Sequence, residues 1–147
     1  MYNDGVIAKK RIILIEDNDA DASLIQNALT TSEIDCEVIR FRDGEEALRM
    51  LLEEDAPVPD VILLDLNIPK HDGLDVLRRI RNTPRLTYTP VGILTGSQMA
   101  NDRTRASIIG ATCYVQKPAS YDEYVRGVRQ AVEELISPNP ASAAPQT

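Results

Sequence analysis

The apolar positions of this chain fall into short unbroken runs that alternate with sparser, helically spaced ones. The densest run is Val61-Ile-Leu-Leu-Asp-Leu-Asn-Ile-Pro-Lys-His-Asp-Gly73, in which greasy residues end in a carboxylate, Asp65, and turn residues follow soon after. A run without polar alternation is a strand covered on both faces, as in a parallel sheet flanked by helices. Such sheets place their ligand-bearing groups at the carboxyl ends of strands, where Asp65 falls. Taken alone, Asp65 reads first as a turn residue, because Asp favours turns for reasons unrelated to chemistry.

The same alternation extends along the chain. Arg11-Ile-Ile-Leu-Ile15 predicts a first strand that ends in Glu16-Asp17-Asn18-Asp19. Ala22, Leu24, Ile25, Ala28 and Leu29 then recur at helical spacing and predict a helix over residues 19–31, with Asp19 or Asp21 suited to cap it. Cys36-Glu-Val-Ile-Arg-Phe41 reads as the second strand, and Asp43-Gly44 opens a helix carrying Ala47, Leu48, Leu51 and Leu52. Pro57 and Pro59 punctuate the approach to the third strand. After Asp65, Leu74, Val76, Leu77 and Ile80 predict a third helix ending near Pro84. Pro90-Val-Gly-Ile-Leu-Thr95 supplies the fourth strand, where Gly92 implies that a neighbour needs its space. A fourth helix is expected over residues 98–109, with Ala106, Ile108 and Ile109 as its apolar part and Gly110 as a left-handed stop. Thr112-Cys-Tyr-Val115 is the fifth strand, followed by Lys117-Pro118. Ser120-Tyr-Asp-Glu123 matches a capping box, and Tyr124, Val125, Val128, Val132 and Leu135 stripe the last helix.

Composition narrows the class. The 147 residues suit one domain, divided as an arm over 1–10, a folded unit over 11–136 and a Pro/Ala-rich tail over 137–147. Charged residues at 27% and hydrophobic ones at 43% are ordinary for a globular protein, and the net charge of −7 argues against nucleic-acid binding. Cys36 and Cys113 lack metal or CxxC spacing and read as reduced core residues, which fits a cytoplasmic protein. No run reaches the length of a membrane span, and the N-terminus has no signal-like apolar segment, so neither membrane insertion nor secretion is expected.

Strands alternating with helices predict an α/β doubly wound (βα)5 parallel sheet, flavodoxin-like if its strand order is 2-1-3-4-5. In the strand order 2-1-3-4-5 the ends carrying Glu16-Asp17 and Asp65 are neighbours, with Thr95 and Lys117 next along the same edge. Carboxylates grouped there are hard oxygen ligands suited to Mg²⁺, which would relieve their mutual repulsion; Asp17 and Asp65 are the direct ligands expected.

With these residues in place, the chain over 11–136 resembles the receiver domains of two-component response regulators. The resemblance rests on Glu16-Asp17, on Asp65 within Leu-Leu-Asp-Leu-Asn-Ile-Pro-x-x-Asp-Gly, on Thr95, and on Lys117-Pro118 after Tyr114. The wording Leu-Asp-Leu-Asn-Ile-Pro and the opening Glu-Asp-Asn-Asp-Ala-Asp look most like single-domain regulators paired with bacterial phytochrome kinases. The resemblance implies that Asp65 accepts a phosphoryl group from a histidine kinase in a Mg²⁺-dependent reaction, with Mn²⁺ as a substitute. It implies a backbone carbonyl ligand from Asn67 and a metal-bound water held by Glu16. Thr95 and Lys117 would meet the phosphoryl oxygens, and Thr95 with Tyr114 would form the switch. Asn67 and Ser97 would set the lifetime of the acyl phosphate, and the Lys117-Pro118 bond would be cis. The protein would thus catalyse only its own phosphorylation and dephosphorylation. Without an effector domain, output would pass through a protein partner, a further phosphotransfer step, or a homodimer built on the fourth helix, fifth strand and fifth helix or on the C-terminal tail.

Two other classes share the sheet. An Asp-nucleophile phosphatase resembles this pattern but carries a second Asp two residues on, where Asn67 stands. An FMN carrier needs a phosphate-cradling loop after the first strand, where Glu16 to Asp19 would repel phosphate. His71 reads as a loop residue with no phosphotransfer role, and Asp19, Asp21 and Asp72 as caps and loop charges. Tyr114 fits a packed aromatic as well as a switch, and Tyr121 and Tyr124 fit core slightly better than a partner surface.

Overall fold

Residues 9–68, 72–96, 100–117 and 120–136 are described by a computed structural model. Ser97, Gln98, His71 and Pro118, with its expected cis bond, lie outside them, as do most of the N-terminal arm and the whole C-terminal tail. The strands are β1 (Lys10–Ile15), β2 (Cys36–Phe41), β3 (Val61–Asp65), β4 (Val91–Thr95) and β5 (Cys113–Gln116). They alternate with α1 (Asp19–Thr30), α2 (Gly44–Leu51), α3 (Gly73–Arg81), α4 (Ala100–Ile109) and α5 (Tyr121–Ile136). All strand pairs are parallel, in the order β2-β1-β3-β4-β5.

Because side chains alternate across a strand, the unbroken apolar runs feed two cores. Ile13, Ile15, Ile62, Leu64, Val91 and Ile93 pack on one face against α2, α3 and Ala106 of α4. Ile12, Leu14, Val61, Leu63 and Leu94 pack on the other against Ala22, Ile25 and Leu29 of α1 and Tyr124, Val128 and Val132 of α5. Every residue of β3 and β4 is buried, as expected of strands covered on both sides.

Two glycines fix how closely the layers approach. A Cβ on Gly92 would meet Cys113 Sγ and Leu63 Cδ2 at 3.2 Å and Leu135 Cδ1 at 3.5 Å, so the space is taken by α5 and the neighbouring strands. At Gly73 it would meet the Leu66 Cα at 2.5 Å and carbonyl oxygen at 2.7 Å. The start of α3 therefore lies directly on the backbone that follows Asp65. Arg81 closes the far end of that helix: Nε donates to Gly110 O at 2.8 Å and Nη1 to Thr89 O at 2.7 Å and Leu86 O at 3.1 Å.

Several local expectations are corrected. Asn18, not Asp19 or Asp21, caps α1, its side chain accepting from the Asp21 N–H at 2.9 Å. Ile108 is 79% exposed, because Ala106 and Ile109 alone face the core from the end of α4. Leu52 is the exposed C-cap of α2 rather than part of its stripe. The fifth strand begins one residue later than expected, at Cys113; the Thr112 hydroxyl instead accepts from Val91 N–H at 3.0 Å. Gly110 does end α4 with a positive φ of 126°, outside the narrow left-handed helical basin that was expected.

Candidate functional site

The parallel register carries the acids to one edge. Ile15 pairs with Leu64, so the next residues, Glu16 and Asp65, leave adjacent strands side by side. Asp65 in turn pairs with Leu94, which brings Thr95 to the same edge, and Thr95 pairs with Gln116, after which Lys117 follows. Strand β5 is tied in at this edge by Lys117 N–H donating to Thr95 O at 2.8 Å.

Asp65 is buried, with each carboxylate oxygen partnered. Oδ1 accepts from the Asn67 backbone N–H at 2.8 Å, and Oδ2 accepts from Lys117 Nζ at 2.9 Å. The Lys117 ammonium also donates to Glu16 Oε1 at 3.0 Å and Asp21 Oδ2 at 2.9 Å, so its N–H groups reach separate carboxylates. Glu16 has no exposed side-chain surface, and its Oε2 accepts from Asn18 N–H at 3.2 Å. Burial pushes its carboxyl up, Asp65 adds to this by hydrogen bonding and charge, and Lys117 opposes, leaving it raised to about 7. Burial would lower the Lys117 ammonium, but the bonds to Asp21, Asp65 and Glu16 outweigh that and hold it above its ordinary range.

Carboxylate oxygens of Glu16, Asp17 and Asp65 all lie within 4.8 Å of one another. Among the described residues, the metal-binding donors that converge there are all oxygens, and Asp17 is exposed, leaving a wet side for water ligands. This donor set fits Mg²⁺ or Mn²⁺ and not a metal that prefers nitrogen or sulfur. The Asn67 peptide is drawn against Asp65 by its N–H bond, beside these acids.

Thr95 is fully buried at the end of β4. Tyr114 is half-buried, with Arg103 over its ring at 5.0 Å. Burial raises the Tyr114 phenol, Asp102 reinforces the rise, and the neighbouring Thr95 hydroxyl and Arg103 oppose it. The expected switch pair is therefore already in proximity, across the α4–β5 side of the site.

Sequence reasoning misassigned one residue at this centre. Asp21 is not a loop charge: it reaches back from the first turn of α1 to Lys117. An acid in the opening turn of a helix that follows an acidic strand end lies near that same edge, and this was the available signal. Asp19 instead pairs with Arg40 at 2.8 Å and Arg42 at 2.9 Å, and Asp72 caps α3 as expected. The tyrosines of α5 divide: Tyr121 is exposed, whereas Tyr124 is buried with Lys117 Nζ 5.9 Å from its ring centre. Burial raises the Tyr124 phenol; Lys117 opposes and the surrounding acids add.

Residues 12–129 match the response regulator receiver domain family. The chain belongs to that family. It is 40% identical over 130 residues to the response regulator Rcp1 of Synechocystis sp., covering 86% of this chain and 88% of Rcp1. Among solved structures, the phosphorylated cyanobacterial phytochrome response regulator RcpA superposes with a TM-score of 0.83 at 40% identity, covering 90% of this chain and 97% of RcpA. The Mn²⁺-bound form of Rcp1 gives 0.82 at 36% identity, covering 88% and 96%. The receiver is thus a two-component signalling domain with phytochrome-linked homologues, of a family whose members generally act as non-enzymatic signalling proteins. Its flavodoxin-like order of strands is the expected one. Among the described residues, no helix is long and apolar enough to cross a membrane.

Proposed function

We propose that this receiver takes a phosphoryl group on Asp65 from the phosphohistidine of a histidine kinase. In that transfer an Asp65 carboxylate oxygen forms the new O–P bond as the N–P bond breaks, and the departing imidazole keeps the bonding electron pair. No base is required, since the ionised carboxylate is already a nucleophile. The observation that carries this reading is the Asp65 carboxylate itself: buried, fixed by the Asn67 amide, and joined to a lysine ammonium within a cluster of acids.

Asp17 and Asp65, the Asn67 carbonyl and, through water, Glu16 are the groups that would hold Mg²⁺, with Mn²⁺ as a substitute. Such a cation supplies neutralisation of charge on the phosphoryl oxygens. Lys117, which holds Asp65 Oδ2 before a cation binds, then takes a phosphoryl oxygen, and the Thr95 hydroxyl takes another, followed by Tyr114. Asn67, exposed beside Asp65, and Ser97 tune the attack of water that ends the signal.

The partner is a kinase of the phytochrome class, and output passes through proteins in the cytoplasm or a homodimer over α4, β5 and α5 or the tail, without nucleic-acid binding. The decisive experiment is treatment with acetyl phosphate and Mg²⁺ followed by intact mass. One phosphoryl adduct, not formed when EDTA replaces Mg²⁺ and absent in Asp65→Asn, is the expected result; an undiminished adduct in Asp65→Asn would refute the acceptor. Label transfer from a panel of kinases tests the phytochrome pairing, and sedimentation with and without beryllium fluoride tests the dimer.

A further inference from the structure

The bonds of Lys117 divide between two kinds of carboxylate. Glu16 and Asp65 belong to the cluster able to grip a divalent cation, whereas Asp21 does not. Asp21 is attached to a rigid element: its own N–H is held by the cap residue Asn18 at 2.9 Å, and it occupies the first turn of a helix whose inner face is buried. Its bond to Lys117, at 2.9 Å, is as short as that of Asp65. Only about a fifth of either side chain is exposed, 23% for Asp21 and 19% for Lys117. The ammonium also lies over the buried ring of Tyr124, 5.9 Å from its centre. If Glu16 and Asp65 turn to a cation, Asp21 is, among the described residues, the carboxylate partner that remains for the lysine.

We propose that Asp21 is a positioning residue that acts through Lys117, receiving the ammonium when the cation takes Glu16 and Asp65 and setting how the site divides its affinity between cation and phosphoryl group. The proposal rests on the reading of Asp65 as phosphoacceptor for its second half only. Two consequences have opposite sign. Without the Asp21 charge, Lys117 loses its alternative partner and stays on the metal carboxylates, and the site is also one negative charge poorer, so cation binding weakens. The same loss leaves the ammonium less neutralised, so an anionic phosphoryl mimic binds more tightly once the cation is saturating. A side chain that merely held α1 in place would, on removal, weaken both.

The test uses the full chain. Mn²⁺ affinity is measured by titration calorimetry and by the free-ion EPR signal, and beryllium fluoride affinity at saturating Mg²⁺ by ¹⁹F NMR. For Asp21→Asn the expected result is Mn²⁺ binding weakened by roughly fivefold and beryllium fluoride binding tightened by a similar factor, the scale of one partly exposed charge. Asp21→Glu restores the charge and should return both constants toward those of the parent. Asp19→Asn, on the same helix but paired with Arg40 and Arg42, serves as the control for a nearby charge that does not bond Lys117 and should change neither by more than about twofold. Urea midpoints confirm that each variant is folded. Any other pattern in Asp21→Asn, whether both constants fall, neither changes or only one moves, overturns the proposal. Should beryllium fluoride bind equally well to Asp65→Asn, the phosphoacceptor reading fails on its own, and the Mn²⁺ result with Asp21→Asn still decides whether Asp21 governs Lys117.

Discussion

Glu16 offers a sharp test of the electrostatics, because its side chain has no exposed surface yet stands beside Asp65. Its carboxyl is raised from 4.5 to about 7 in the folded chain without a cation. Between those values the folded state binds a proton that the unfolded state has released, so the free energy of unfolding must fall as pH rises. Below about 4.5 the group is protonated in both states, and above about 7 it is ionised in both; the loss is confined to the interval and then stays in full. At about 1.4 kcal/mol per unit, the ceiling is about 3 kcal/mol. Glu16→Gln keeps the shape and removes the titration. The variant should match the parent near pH 4.5 and exceed it by about 2 to 3 kcal/mol at pH 8 in EDTA. Urea unfolding followed by far-UV circular dichroism at intervals from pH 4.5 to 8 measures this, and the difference between the two proteins cancels the titration of surface carboxylates. Saturating Mg²⁺ should close the gap, since the carboxylate then has an added counter-charge. A difference that does not vary with pH, or that shrinks as pH rises, would refute the assignment of a desolvated, proton-holding Glu16.

Backbone crowding predicts a contrast between two glycines. Gly73→Ala drives a Cβ to 2.5 Å from backbone and should cost about 2 kcal/mol or more while weakening Mn²⁺ binding, because relief must move the segment bearing Asn67. Gly92→Ala meets only side-chain ends at 3.2 Å and should cost no more than about 1 kcal/mol, both values read from urea unfolding. Arg81→Met should destabilise by about 3 kcal/mol, since it strands several carbonyls that the guanidinium joins, yet leave Mn²⁺ affinity unchanged. Ile108→Ala, at a position 79% exposed, should shift stability by less than about 0.5 kcal/mol in the same assay.

The sheet was legible because its central strands are buried on both faces, which leaves an unbroken apolar signature. Register then followed from where each run ended: Asp65 and Thr95 are the last residues of their strands and Glu16 and Lys117 the first residues after theirs, so aligning the strands aligned the site. Helix α4 was harder to read. Its residues Ala106, Ile108 and Ile109 are consecutive or nearly so, and turns of 100° cannot put all of them against the sheet; Ile108 is the one turned out. The cap of α1 was misread for a related reason. Asn18, Asp19 and Asp21 are all competent caps in sequence, and only the fold reveals that Asp19 is drawn off by Arg40 and Arg42 and Asp21 by Lys117.

That division of acids bears on how one event at Asp65 could be felt on two sides of the molecule. Lys117 stands where α1 and α5 meet, touching Asp21 of the first and lying near the Tyr124 ring of the second, and both residues belong to elements packed on the same face of the sheet. Thr95 neighbours Tyr114, which packs toward the opposite core and carries Arg103 of α4 over its ring. If a phosphoryl group on Asp65 recruits both Lys117 and Thr95, it exchanges contacts on both faces at once. A change on the α4–β5 side alone can follow Thr95 without disturbing the lysine, whereas a change at α1 and α5 requires the ammonium to move. The rigid attachment of Asp21 limits that movement: with this anchor intact, Lys117 can reorient by giving up Asp65 and Glu16 while α1 stays in place. The physical expectation is therefore an asymmetric response, larger around Tyr114 than around Tyr124, and loss of the Asp21 anchor would make the two sides more nearly equal.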